Sequence, residues 1–475
     1  MTWFSALDLA EQIRRRQVSC VEVMSAYLGQ VEALNPRVNA IVALRDREVL
    51  LREAAARDDQ LARGRYLGWL HGLPFAVKDL AAAEGLLWTE GSPIYARRVA
   101  EVDDLFVRRV RDAGAIVIGK TNTPEFGLGS QTYNEVYGAT VNPYDPTRTT
   151  GGSSGGAAAA LALRMLPVAD GSDYMGSLRN PAAFCNVYGF RTSYGRVPAP
   201  GFVAHQSVVG PMGRTVDDLA ALLSVLAGPH PTAALALDSA GGQFAPPLTE
   251  VDTRGTRIAW VGDFGGYLAF EPGVLELCEA ALRVVADLGC VVDQALPDYP
   301  PDKLWELFLH WRWWSSLRRY DLYADPATRA RLKPEVVWEI ENGLRLSALD
   351  IQRADVARQE WYEALLRFFE RYDFVIAPSA QVFPFDVRTH WPTEIDGRPM
   401  DTYHRWMETV APWTAAGVPV LGMPAGFDDR GLPMGVQLIG RPRADLSVLH
   451  LAKAYEQRTN WVRDHPPPLL QSMSS

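Results

Sequence analysis

Gly171-Ser-Asp-Tyr-Met-Gly-Ser177-Leu-Arg-Asn-Pro-Ala-Ala-Phe-Cys185 is the stretch on which the fold turns. Its Ser177 stands 24 residues beyond Ser153, which lies in a second glycine- and serine-rich stretch, Gly151-Gly-Ser-Ser-Gly-Gly156. Taken alone, the second stretch is ambiguous. It holds GxSxG in two frames, centred on Ser153 or Ser154, the pattern of a nucleophile elbow. An elbow needs an apolar strand before it, but residues 141–150 carry Pro143 and Pro146 and read as a loop. The α/β-hydrolase alternative also needs a downstream base, for which His404 is the candidate. A phosphate cradle or a plain helix-capping loop fits the same letters.

A third glycine signal misleads. Gly114-Ala-Ile-Val-Ile-Gly-Lys-Thr121 matches GxxxxGK[ST] letter for letter. Its middle residues are strand formers, however, and no long helix can start at Asn122-Thr-Pro-Glu-Phe-Gly, so a nucleotide site is not expected.

Further from these loops the chain alternates. Residues 5–35 read as two amphipathic helices, the second ended by Asn35-Pro36, followed by a strand over 38–44 and a charged helix over 46–62. Phe75-Ala-Val77 is a short buried strand that ends on Lys78. A helix over 104–113 precedes a strand at 115–118, and another helix starts at 157. Residues 228–256 form a long aperiodic connection, rich in Pro, Gly and Ala. Alternation resumes with a strand at 257–261, a helix over 274–288 and a strand at 290–294. Residues 303–371 read as helical, strands follow at 374–377, 418–423 and 434–439, and a helix over 446–457 closes the pattern. Strands alternating with helices predict an α/β protein with a largely internal sheet.

Composition narrows the function classes. The 475 residues are 48% hydrophobic and 22% charged, an ordinary globular balance, and length alone suggests about three domains. A net charge of -9 argues against a nucleic-acid partner, which needs a basic surface. No run approaches the roughly 18 apolar residues of a membrane helix. The start of the chain does not read as a signal peptide. Four cysteines without a CxxC pair read as reduced, buried thiols of a cytoplasmic protein. The eight histidines are scattered and no HExxH occurs, so neither a metal nor another cofactor is expected.

Taken together, the motifs resemble the amidase signature family. Gly72-Leu-Pro-Phe-Ala-Val-Lys-Asp79 resembles its lysine strand, and Gly119-Lys-Thr-Asn-Thr-Pro-Glu-Phe-Gly127 the next segment. Gly151–Gly156 resembles its Gly/Ser loop and Gly171–Phe184 its nucleophile loop. Gly417-Val-Pro and Gly431-Leu-Pro-Met-Gly-Val-Gln-Leu-Ile-Gly440 are similar to its C-terminal strands, so the resemblance runs from about residue 5 to 460. It implies a single α/β/α domain over residues 1–475 with a central mixed β-sheet. In that fold 228–256 is a crossover and 300–371 an aromatic-rich helical subregion at the substrate entrance.

The resemblance also implies a triad: Ser177 as nucleophile, Ser153 on a cis peptide as bridge, and Lys78 as base. It assigns the oxyanion hole to the backbone N–H groups of Tyr174, Met175, Gly176 and Ser177, and loop-supporting roles to Ser154, Asp173 and Arg179. The family commonly has small residues where this chain has Tyr174 and Met175. Trp305, Trp311, Trp313 and Trp314 are candidate pocket residues, with core packing as the competing reading. The expected activity is hydrolysis of hydrophobic or aryl amides through an acyl-enzyme. Carbamate or ester hydrolysis and the glutaminase subunit of a tRNA-dependent amidotransferase are the alternatives. The implied partner is a small-molecule amide, and the pattern allows a homodimer.

Overall fold

Pro74–Lys78 and Ile116–Thr121 are buried at every position, as strands covered on both faces must be. In this computed structural model, which describes residues 1–471, they pair in parallel, and Ile41–Val42 adds antiparallel to the second. The larger sheet has eight strands, in the order Val291–Gln294, Arg257–Trp260, Phe374–Pro378, Pro433–Gly440, Val420–Phe427, Tyr188–Arg191, Val208–Gly213, Val168–Asp173. The first three run parallel to one another and the remaining pairs are antiparallel, so the sheet is mixed.

The two sheets meet through a side chain. The backbone N–H of Lys78 donates to both carboxylate oxygens of Asp170, at 3.1 and 3.3 Å, on the edge strand Val168–Asp173. The end of the small sheet is thereby pinned beside the end of the large one, which is where the two serine loops emerge.

Close helix packing holds the loops from behind. Helix Arg179–Cys185 lies directly on the strand Val420–Phe427, where a Cβ on Gly422 would stand 2.9 Å from the Arg179 Cα. Helix Gly155–Ala162 is buried along its whole length, and a Cβ on Gly156 would fall 2.3 Å from the Asn122 backbone nitrogen. Gly156→Ala is therefore expected to destabilise the protein by about 1–3 kcal/mol through overpacking. Urea unfolding checks this as a lower midpoint at unchanged slope.

Several expected boundaries move. The second helix runs through Pro36 to Val38 and is closed by Asn39 in the left-handed region, because a proline in the last turn removes only a hydrogen bond the turn can lose. The strand expected over 38–44 contracts to Ile41–Val42. The strands Val168–Asp173, Tyr188–Arg191 and Val208–Gly213 and the helix Val216–Leu226 are additional to the elements expected from the sequence. In the first two strands Asp170, Ser172, Asp173 and Arg191 serve the site. The P-loop look-alike is strand Ile116–Thr121, and its Lys120 is fully buried, bonded to the Ala81 carbonyl and 3.6 Å from Asp79. Residues 228–256 lead from the helix Val216–Leu226 to the strand Arg257–Trp260, burying Phe244 on the way. Helix Pro301–Ser316 packs against both Pro334–Arg345 and Ala348–Phe369. All four cysteines are free and buried. No helix among the described residues is long and apolar enough to cross a membrane.

Candidate active site

Lys78 closes its strand with the side chain 1% exposed. Its Nζ lies 2.7 Å from Ser153 Oγ, 2.8 Å from Ser154 Oγ and 3.1 Å from Ser172 Oγ. Burial pushes this amine down to about 7, against the opposing pull of Asp170 and Asp173. Burial likewise lifts Asp170 to about 6, against the Lys78 N–H and the charges of Lys120 and Lys78. A lysine surrounded by hydroxyls and near half-deprotonated at neutral pH can accept a proton.

The Gly152–Ser153 peptide is cis. Its loop is held by groups that the sequence reading missed. Thr132 Oγ1 donates to the Gly151 carbonyl at 2.9 Å, and Ser130 Oγ donates to the Gly152 carbonyl at 2.7 Å. The Gly152 N–H returns a bond to Ser130 Oγ at 3.1 Å. The Ser154 N–H donates to the Ser177 carbonyl at 3.3 Å, which ties the two serine loops together.

Ser177 is 7% exposed on the turn between the edge strand and helix Arg179–Cys185. Asp173 shapes that turn: its carboxylate accepts from the Gly176 N–H at 2.9 Å and the Leu178 N–H at 3.1 Å. Burial alone would raise this carboxyl. Arg179, paired with it through two bonds of 3.0 and 2.9 Å, and Arg191 hold it far below the ordinary range. Arg179 also reaches Gln437 Oε1 at 2.6 Å, Thr414 Oγ1 at 2.8 Å and the Val410 carbonyl at 3.0 Å. Arg191 and Gln437 are partners the sequence offered no signal for, since each joins from a distant strand.

Gly176 differs from the other three expected donors. Its N–H is already committed to Asp173, which leaves the N–H groups of Tyr174, Met175 and Ser177 without a protein acceptor among the described residues. Met175 is buried, and the ring of Tyr174 packs edge-on against Phe308 at 6.0 Å, under the Arg312 guanidinium at 4.8 Å. Ser315 Oγ stands 3.4 Å from the Tyr174 hydroxyl. The aromatic helix thus reaches the nucleophile loop, but through Phe308, Arg312 and Ser315.

The four tryptophans face elsewhere. Trp305 stacks on Phe308 and meets His404 edge-on. Trp311 donates to the Ala354 carbonyl on the long helix at 3.3 Å. Trp313 packs on Trp338, and Trp314 on Trp311 and His205. Trp311 and Trp313 thus pack on neighbouring helices, and Trp305 and Trp314 on their own helix and on His404 and His205. His404 is no base for either serine: it is fully buried, stacked on Tyr403 at 4.3 Å and 3.7 Å from Glu339. Burial, then Arg312 and Arg405, holds it well below its ordinary range. The α/β-hydrolase alternative fails on this geometry, since Ser153 and Ser154 are served by a lysine. Among the described residues no group of three or more His, Cys, Asp or Glu is placed to hold a metal ion.

Comparison with known proteins agrees with this arrangement. The family model described as Amidase matches residues 22–449. An acylamidase of Rhodococcus erythropolis is 34% identical, covering 98% of this chain and 97% of its own length. A glutamyl-tRNA(Gln) amidotransferase subunit from Thermosynechococcus vestitus is 35% identical, covering 97% of this chain and 98% of its own length. Among solved structures, a bacterial aryl acylamidase of the amidase signature family superposes with a TM-score of 0.89 at 28% identity, covering 98% of this chain and 99% of that one. A 6-aminohexanoate cyclic dimer hydrolase complexed with substrate gives 0.86 at 26% identity, covering 99% of each chain.

Proposed function

This chain belongs to the amidase signature family, and from that premise we propose that it hydrolyses hydrophobic or aryl amides through an acyl-enzyme on Ser177. The observation that carries the reading is the buried contact of Lys78 Nζ with Ser153 Oγ at 2.7 Å, in a loop bonded to the backbone of Ser177.

The steps follow from the groups present. A serine hydroxyl is a poor nucleophile until a base takes its proton. As Ser177 Oγ attacks the amide carbonyl, its proton passes to Ser153 Oγ, and the Ser153 proton passes to the neutral Lys78 amine. The N–H groups of Tyr174, Met175 and Ser177 receive the developing oxyanion. Collapse of the tetrahedral intermediate breaks the C–N bond, and the departing amine takes a proton back along Lys78 and Ser153. Water, deprotonated by the same relay, then attacks the ester carbonyl and frees Ser177. Met175, the ring of Tyr174 and the nearby Phe126 give the acyl or amine group apolar surroundings.

Lys78 serves as base only when neutral. With its amine near 7, the neutral fraction falls as the pH drops below that value, so kcat/KM is expected to decline about tenfold per pH unit on the acid side. A pH–rate profile between 5 and 9 on an uncharged anilide checks this.

The direct test is labelling with a fluorophosphonate followed by peptide mapping. A single adduct on Ser177, lost in Lys78→Ala, is the expected result; an adduct on Ser153 or Ser154 refutes the assignment. The similarity to the amidotransferase relative favours a second reading, a glutaminase that works with partner proteins. Turnover of an anilide by the isolated chain, without turnover of glutamine, decides against it.

A further inference from the structure

Beside the triad lies a recess of about 450 Å³ whose apolar wall is formed by Leu80, Tyr95 and Phe126. Gly127 lies between that wall and the serine loop: a Cβ on it would stand 2.8 Å from Leu80 Cδ1 and 3.5 Å from Ser153 Oγ. Across it are two consecutive arginines, Arg318 and Arg319, which follow the helix that packs on Tyr174. The Arg319 guanidinium sits over the Phe126 ring at 4.6 Å and makes only a long contact, 3.4 Å, with the Phe126 carbonyl.

Neither cation has an ion-pair partner in contact. Among the described residues no carboxylate lies within 4 Å of either guanidinium, although ion pairs at that range are frequent elsewhere in the molecule. Glu90 lines the recess but is held by Arg98 at 2.8 Å, and Asp321 lines it without a bond to either arginine. Arg318 is exposed and Arg319 partly buried. Two like charges set side by side repel each other, and an anion placed between them would offset that repulsion. A planar guanidinium matches a carboxylate through two parallel bonds.

We propose that the Arg318–Arg319 recess takes an anionic group of the substrate, a carboxylate above all, joined to the scissile amide through an apolar segment lying along Leu80 and Phe126. This rests on the amidase reading and narrows it: the preferred substrate is an amide with a negative charge at its far end. The charge can sit on the acyl or on the amine side, and the test separates the two.

The experiment compares matched pairs on the full chain. Glutaric acid mono-4-nitroanilide against butyric 4-nitroanilide places the charge on the acyl side. N-butyryl-4-aminobenzoate against butyranilide places it on the amine side. In one pair the anion is expected to raise kcat/KM about tenfold or more, mostly through KM, with the advantage shrinking as salt is added. Arg318→Gln and Arg319→Gln are expected to lower that anionic-to-neutral ratio, and Arg319→Lys to recover part of it. Equal rates within both pairs in the unaltered protein overturn the proposal while leaving the amidase reading intact. A ratio unchanged in both glutamine variants overturns it too. No turnover of any of the four amides, with no Ser177 labelling, removes the amidase reading and this one with it.

Discussion

Ser177→Ala is expected to lower kcat on an anilide by about 10⁴-fold or more, with KM and the unfolding midpoint near their original values. The hydroxyl that would form the acyl-enzyme is lost, while the N–H groups that polarise the carbonyl remain. Lys78→Ala is expected to fall by about 10²–10⁴-fold, the usual contribution of a positioned base. The two losses do not add. In the proposed relay Lys78 acts through Ser153 on the Ser177 proton, so the double variant is expected to be about as slow as Ser177→Ala alone. A double variant slower by the full product of the two factors would mean that Lys78 acts on something other than the nucleophile. Steady-state kinetics on one anilide, with circular dichroism to confirm folding, reads all three.

Asp173→Ala is the second large effect, and it falls on stability as well as on rate. The carboxylate holds Arg179 and Arg191, all three fully buried, and fixes the N–H groups of Gly176 and Leu178. Its removal leaves two guanidiniums without a counter-charge inside the protein. Breaking a buried pair in this way costs about 3–5 kcal/mol, a large share of the roughly 5–15 kcal/mol typical of a folded protein. Urea unfolding gives the cost directly. The carboxyl is held far below its unfolded value, so its contribution is full above about pH 4 and is lost only as the pH falls further toward the folded value. Fluorophosphonate labelling of Ser177 is expected to slow in parallel, because Asp173 sets the turn that carries the nucleophile. Unchanged stability in Asp173→Ala would show that Arg179 and Arg191 find other partners.

The motif residues were legible because each is tied to chemistry that few other residues supply. The family resemblance joined Lys78, Ser153 and Ser177 as one set, and the structure brings Lys78 to Ser153 and links the Ser153–Ser154 loop to Ser177. The strand Val168–Asp173 was not legible, because its Asp-Gly-Ser-Asp serves the site and breaks the apolar pattern a strand normally shows. The tryptophans left two readings open, pocket and core packing: a dense aromatic run marks a buried face, but does not say which neighbour it is buried against.

What the sequence determined by itself is local in origin: the motifs that carry the family resemblance and the α/β alternation, both set by residue type and spacing. Only the tertiary structure decided the rest. It set the Lys78 amine among three hydroxyls in a site dry enough to lower it to about 7. It committed the Gly176 N–H to Asp173, and it left Arg318 and Arg319 without an ion-pair partner in contact in the recess lined by Leu80 and Phe126. Desolvation and hydrogen-bond partnership depend on which distant segments close around a group: here residues near 78, 130, 153, 173, 318 and 437 converge. Their separations along the chain bear no relation to their distances in space.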